Sequence, residues 1–468
     1  MNEPVANKNP SKIFLRIISY FFKIVLVTAT AMLVGGMNLT LGLLFAGLFT
    51  LLYLLFSKQK TGAYFTPNFL FIPLIYRFLH TIDFSLYPND YQNALGQLVV
   101  AFWVAGIIHI LLSMIVRYVP YRLLRRFFPP YLIGALVIAL ALIFIILISG
   151  QYIFVPLYEN TAIDFIDIIT IAATIFIAMM IKTNLSQGNF FRDGYILFAI
   201  IGGGLTHLLL EITAFGTGIV AGNLYLLDIF NSNTVINYST ITPLINYENA
   251  FGFIDNLNLN WNMIIAIMPI TIIAFFELFE AVKDNRRLVF QSDLAPQDYD
   301  RLIFSNGVSI MLGSTCGLSP FYAQKVHDQR MNKRSELIAL LIAITLIILL
   351  SPWTWFTNLF LLIPPGVYYG IIIFAFLIVI GHGYEMIKVS LNEQKHWKNI
   401  VVAIAAGGSA IFFGLFDVIS EWTGLNFLSL QIGAIKLDYL LIGLVVGIII
   451  NIIIPRKFLH KNKSPIEK

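Results

Sequence analysis

The sequence is short of charge and of cysteine. Only 12% of its 468 residues are Asp, Glu, Lys or Arg, against 58% hydrophobic, and the mean hydropathy is +0.82. One soluble core stops growing well before it could bury so much apolar surface. A soluble domain is therefore excluded, and the chain reads as an all-α polytopic membrane protein. The lone cysteine, Cys316, excludes a disulfide framework and any zinc or iron–sulfur site built on thiolates. The seven histidines are scattered without HExxH or HxxxH spacing, which argues against a membrane metalloenzyme. No filter motif or charged ring points to a channel. The net charge of +5 gives no basis for a nucleic-acid partner. The polar start, with Asn7-Lys8-Asn9-Pro10-Ser11-Lys12, reads as a short tail and not as a signal peptide.

What is present is a series of apolar runs, each near the roughly 20 residues needed to cross about 30 Å of hydrocarbon. They fall at about 14–36, 39–57, 62–79, 94–117, 130–149, 164–181, 194–215, 261–284, 302–314, 317–328, 333–351, 356–383, 398–416 and 437–455, which makes fourteen segments. The third opens on Thr61-Gly62-Ala63-Tyr64-Phe65-Thr66-Pro67-Asn68 and the tenth on Cys316-Gly317-Leu318-Ser319-Pro320. Gly and Pro disfavour continuous helix there, so both segments are expected to be broken, with short extended stretches.

Lys and Arg collect on cytoplasmic loops. They follow segments two, four, eight, ten and twelve, whereas 81–92, 150–163 and 216–260 hold none. Arg77 and Lys436 are the main exceptions. The pattern places both termini in the cytoplasm of a multi-pass protein of the inner membrane. Phe128-Pro129-Pro130-Tyr131 opens segment five, and Ile363-Pro364-Pro365-Gly366 lies in segment twelve. Seven spans separate them, so the halves carry opposite orientations. Inverted repeats with matched broken helices mark secondary transporters, with a site near the midplane.

Two acids end the apolar run that begins at Trp261, namely Glu277 and Glu280. An acid within a span is by default a functional-site candidate. The plainer reading pairs Glu280 with Lys283 at the interface, with Glu277 as support on a similar helix face. His109 and His207 lie in apolar spans and read as satisfied buried histidines or as ones lining helix contacts. Gly202-Gly203-Gly204 reads as close helix packing, since no Lys-Ser or Lys-Thr follows to make a phosphate loop.

Leu123-Leu-Arg-Arg-Phe-Phe-Pro-Pro-Tyr-Leu-Ile-Gly134, Leu362-Ile-Pro-Pro-Gly-Val-Tyr-Tyr-Gly-Ile371 and Leu441-Ile-Gly-Leu-Val-Val-Gly447 resemble the fifth, twelfth and last helices of the nucleobase–ascorbate transporters. These nucleobase:cation symporters, the xanthine/uracil permeases, share a seven-plus-seven inverted-repeat fold with the SulP anion transporters. Glu280 and Asp284 match the family's Glu–Asp spacing on helix eight, and Tyr322-Ala323-Gln324 matches an aromatic-Ala-Gln motif on helix ten. Asn306-Gly307 stands where the family has Asp-Gly, and Lys325-Val326-His327 departs from its Asn-x-Gly.

The resemblance implies a core domain from 1–120 and 261–352 and a gate domain from 121–217 and 353–456. An extracytoplasmic loop at 218–260 and a cytoplasmic tail at 457–468 complete the division. It also implies a pocket for a nucleobase formed by Glu280, Gln324, Tyr322, Phe65 and Phe321. Asp284, Glu277 and Asn306 would support binding or coupling. The expected function is secondary active transport of a nucleobase-like solute by alternating access, coupled to H+ or Na+, in a homodimer within the bilayer, without a cofactor. The alternative cargo is a small anion such as sulfate or bicarbonate, which Glu280 opposes and helix N-termini favour.

Overall fold

The computed structural model describes residues 10–56, 63–79, 87–119, 121–159, 165–186, 190–217, 251–284, 296–325, 333–393, 397–423, 430–432 and 435–454. The first half runs α1 (Pro10–Val34), α2 (Leu39–Phe56), β1 (Ala63–Pro67), α3 (Ile72–Leu79), α4 (Pro88–Tyr118), α5 (Tyr121–Phe127), α6 (Pro130–Glu159), α7 (Phe165–Asn184), α8 (Phe190–Asp193) and α9 (Tyr195–Thr217). The second half runs α10 (Trp261–Asp284), α11 (Pro296–Thr315), β2 (Phe321–Lys325), α12 (Lys333–Leu350), α13 (Thr354–Leu361), α14 (Pro365–Glu393), α15 (Trp397–Thr423), the hairpin β3 (Gln431–Ile432) and β4 (Ile435–Lys436), and α16 (Tyr439–Ile453).

Among the described residues, eight helices are long and apolar enough to cross a membrane, or nine if α12 and α13 form one bent span. Leu39–Leu55, Phe69–Leu79 and Tyr439–Ile453 are shorter apolar helices. The fourteen expected segments are therefore not fourteen full-length crossings. The third and tenth are broken as expected, and each contributes a five-residue strand. Residues 326–328 of segment ten, the 218–250 stretch of the expected loop and the 457–468 tail lie outside the described residues.

Local chemistry sets the helix ends. Pro130 and Pro365 are each the first residue of a helix, where a missing N–H costs nothing. Gly36, at φ +64°, ends α1: Met37 N–H donates to Met32 O at 2.9 Å, the pattern of a left-handed cap. Gly317, at φ +68°, ends α11 in the same way, with Leu318 N–H donating to Gly313 O at 3.1 Å.

Two groups of helices emerge from the packing. In one, α4 packs on α10 and α11, α1 and α2 pack on α12, and β1 lies against α1 and α2. In the other, α6 packs on α14 and α15, α7 on α9 and α14, and α15 on α16. The groups meet where α1 touches α14 and where α10 touches α6 and α16. Helix association in lipid relies on close packing of small residues. A Cβ on Gly134 of α6 would lie 2.5 Å from the carbonyl oxygen of Gly383 on α14, so these backbones are in direct contact.

Candidate substrate site

The two strands pair with each other across some 250 positions of sequence. β1 and β2 run antiparallel, with Phe65 opposite Ala323, Thr66 opposite Tyr322, Tyr64 opposite Gln324 and Pro67 opposite Phe321. A two-stranded ribbon has two edges, and buried backbone groups there need partners. The preceding helix supplies one in each half. Phe65 N–H donates to Thr50 Oγ1 on α2 at 2.8 Å, and Ala323 N–H donates to Asn306 Oδ1 on α11 at 2.9 Å. Ser309 Oγ donates to Phe321 O at 2.9 Å. Asn68 N–H donates to Pro320 O at 2.9 Å, and its Oδ1 accepts from Leu70 N–H to start the turn into α3.

Side chains alternate along a strand, so directly opposed residues share a face. The register therefore divides the expected binding residues. Tyr322 and Gln324 share a face with Tyr64 and Thr66, whereas Phe65 and Phe321 share the other. That second face is packed: the Phe321 ring lies 5.3 Å from Phe49 and the Phe65 ring 5.5 Å from Tyr53, both on α2. Both phenylalanines are fully buried. The aromatic-Ala-Gln motif gave no sign of this division, because it follows from pairing register and not from spacing.

The first face carries the polar groups. The Tyr322 hydroxyl lies 3.2 Å from His109 Nδ1 on α4. The His109 ring sits edge-on to Tyr322 and to Phe275 of α10, each at 5.2 Å, and Tyr322 also contacts Phe71 at 5.8 Å. His109 is completely buried, and its Nε2 has no hydrogen-bond partner among the described residues. Two residues beyond Phe275, Glu277 is half-buried and within electrostatic reach of Tyr322. Gln324 is exposed at the end of its strand, and Tyr64 lies against Tyr20 of α1 at 6.4 Å. Asn306 is buried with its Oδ1 committed to β2, while its Nδ2 has no partner among the described residues. Glu280 and Asp284 lie within α10, but their side chains, and that of Lys283, fall outside the described residues.

His109 and His207 are both buried and contact polar groups of neighbouring elements, as expected of satisfied histidines or ones lining helix contacts. His109 contacts the motif tyrosine, and His207 joins a polar cluster: Nδ1 lies 3.1 Å from Thr170 Oγ1 and Nε2 lies 3.3 Å from Glu211 Oε1. Asp167 of α7 accepts from Gly366 N–H at 3.1 Å, at the Pro-Pro start of α14. The sequence reading missed Glu336. It is buried in the first turn of α12 and accepts from the Tyr20 hydroxyl at 3.4 Å, although its neighbours Lys333 and Arg334 make it read as interfacial. No group of three or more His, Cys, Asp or Glu among the described residues is placed to hold a metal ion.

These features define a polytopic membrane protein in which two interrupted segments cross as a paired ribbon. The comparisons supply the family. The family described as "Permease family" (Xan_ur_permease) matches residues 16–407, and the chain belongs to it. The chain is 22% identical to the uracil permease of Bacillus caldolyticus over 433 residues, covering 90% of this chain and 87% of that one. It is 23% identical to the uracil permease of Escherichia coli K12 over 387 residues, covering 80% of each. Its fold is similar to the transmembrane domain of the cyanobacterial bicarbonate transporter BicA, with a TM-score of 0.51 at 13% identity, covering 89% of this chain and 98% of that one. SLC26A9 gives a TM-score of 0.50 at 11% identity, covering 95% of this chain and 64% of that one. The protein is thus a membrane-embedded secondary transporter of a small solute and not an enzyme.

Proposed function

We propose that this permease carries a nucleobase-like solute of the uracil or xanthine type across the inner membrane by alternating access. The observation that carries this reading is the β1–β2 crossing, which holds the family motif Tyr322-Ala323-Gln324 on one strand with Tyr322 within electrostatic reach of Glu277 on α10. The uracil permeases among its relatives favour the same cargo. A planar base presents N–H and C=O groups on its edge. The Gln324 amide can donate and accept, a Glu carboxylate can accept from ring N–H groups, and Tyr322 can stack or donate. Glu280 is assigned the principal contact with the base, with Gln324 and Tyr322 completing it. Glu277 and Asp284 support that contact and its coupling to H+ or Na+. Phe65, Phe321 and Asn306 shape the ribbon from behind.

In this reading the packed groups act as the core (1–120 and 261–352) and the gate (121–217 and 353–456) of a seven-plus-seven inverted repeat. The mirrored bonds from Thr50 to β1 and from Asn306 to β2 support that symmetry. Both termini are cytoplasmic, and the gate surface is the proposed dimer contact. Uptake of labelled uracil, xanthine and sulfate, measured with and without Glu280→Gln, tests the proposal. Nucleobase uptake abolished by the substitution is expected. Sulfate uptake that ignores the substitution, with no nucleobase uptake, would overturn the reading in favour of an anion carrier.

A further inference from the structure

Arg77 and Lys436, the two residues that break the charge pattern of the loops, end on one carboxylate. Arg77, near the end of α3, places Nη1 2.6 Å from Asp417 Oδ2 and Nε 3.1 Å from Glu421 Oε2, both near the end of α15. Lys436, on β4, pairs with Asp417 Oδ1 from the other side. Its backbone N–H donates to Asn262 Oδ1 at 3.0 Å, in the first turn of α10. Asp438 stands beside these groups and caps α16 through Leu440 N–H at 2.8 Å.

Each tie joins one packed group to the other. α3 and α10 belong with the strand pair, whereas α15 and α16 belong with α6 and α14. The residue before Arg77 makes a second bridge. The Tyr76 hydroxyl bonds the Gln151 side chain of α6, and its ring packs edge-on to Tyr369 of α14 at 6.3 Å. α3 continues β1 through the turn Phe69–Phe71, so movement of its far end reaches the ribbon that carries the site. Beside the ions lies a cavity of about 30 Å³, lined by Leu74 of α3, Ile270 of α10, Leu140 and Phe144 of α6, and Val418 of α15. It has room for roughly two waters.

We propose that Arg77, Asp417, Glu421 and Lys436 form a latch that closes the solute path on the face whose loops lack Lys and Arg. Opening to that face separates α3 from α15 and wets the cavity. Such a latch is reversible for a physical reason: separated charges regain hydration, which offsets much of the attraction lost. The arrangement also explains the exceptions to the charge pattern, since Arg77 and Lys436 serve the gate contact and not topology. The inference rests on the alternating-access reading, but its test uses no solute and so fails or succeeds apart from the choice of cargo.

The test is labelling of Leu74→Cys in a Cys316→Ser background by a membrane-impermeant maleimide applied to whole cells. Leu74 is buried against the cavity when the latch is closed. The deciding variant is Arg77→Gln with Asp417→Asn, which removes one charge of each sign, keeps the net charge of the cluster and leaves Glu421 and Lys436 as one remaining pair of opposite charges. It is expected to raise the labelling rate roughly fivefold or more by shifting the population towards the open state. Arg77→Lys, which keeps the charge, is expected to label near the parent rate. Labelling of the double variant at the parent rate, with the protein present in the membrane, would overturn the proposal.

Discussion

Replacing Asn306 by Ala should loosen β2 at a single amide. Asn306 Oδ1 accepts from Ala323 N–H at 2.9 Å, and both residues are buried. In the variant that N–H keeps no acceptor from α11. Leaving a buried donor unsatisfied costs about 1–3 kcal/mol. Expressed as a local opening equilibrium, that is roughly a 5- to 150-fold change. Hydrogen–deuterium exchange of a peptide covering 321–325 should therefore accelerate within that range. Asn306→Asp is the control. It keeps an acceptor oxygen, and the amide nitrogen it loses has no partner among the described residues, so exchange should stay near wild type. Thr50→Val makes the matching cut at Phe65 N–H and should accelerate exchange of 63–67. Unchanged exchange in Asn306→Ala, or equal loss in Asn306→Asp, would refute the reasoning.

Two further perturbations probe the other packed group. Gly134→Ala drives a methyl to 2.5 Å from Gly383 O, a backbone atom that cannot rotate away, so α6 and α14 must separate. Overpacking of this kind costs about 1–3 kcal/mol, and the purified protein should melt at a lower temperature. Lys398, buried at the start of α15, donates its ammonium protons to Asn451 O and Ile454 O at the end of α16. Lys398→Met removes hydrogen bonds from a charged donor, each worth about 1.5–3 kcal/mol, and frees the last carbonyls of α16. Cleavage by protease added to the side bearing that end should quicken, whereas wild-type rates would refute the capping role.

Much of the helical scaffold was legible because lipid imposes a strict grammar of length and hydropathy. The breaks at Thr61–Asn68 and Cys316–Gln324 were legible for a related reason, since Gly and Pro spoil a helix that lipid would otherwise favour. What the breaks become was not legible. The pairing of β1 with β2 is a long-range event, and its register puts Phe65 and Phe321 on the face opposite Tyr322 and Gln324. No spacing within either segment carries that information. The partner of His109 was equally hidden, because a histidine in an apolar span looks alike in sequence whichever polar group it meets, the Tyr322 hydroxyl included. Arg77 and Lys436 show the reverse case. They stood out as exceptions to the loop charges, and only their convergence on Asp417 explained them.

The central claim concerns the cargo, and ligand-induced stabilisation of the purified protein measures it most directly. A solute that binds the folded carrier raises its stability by RT ln(1 + [L]/Kd), about 2.7 kcal/mol at a hundredfold excess over Kd. Uracil or xanthine is expected to raise the melting temperature in a saturable manner, and Glu280→Gln is expected to abolish the shift. A saturable shift with sulfate or bicarbonate, and none with any nucleobase, would contradict the claim.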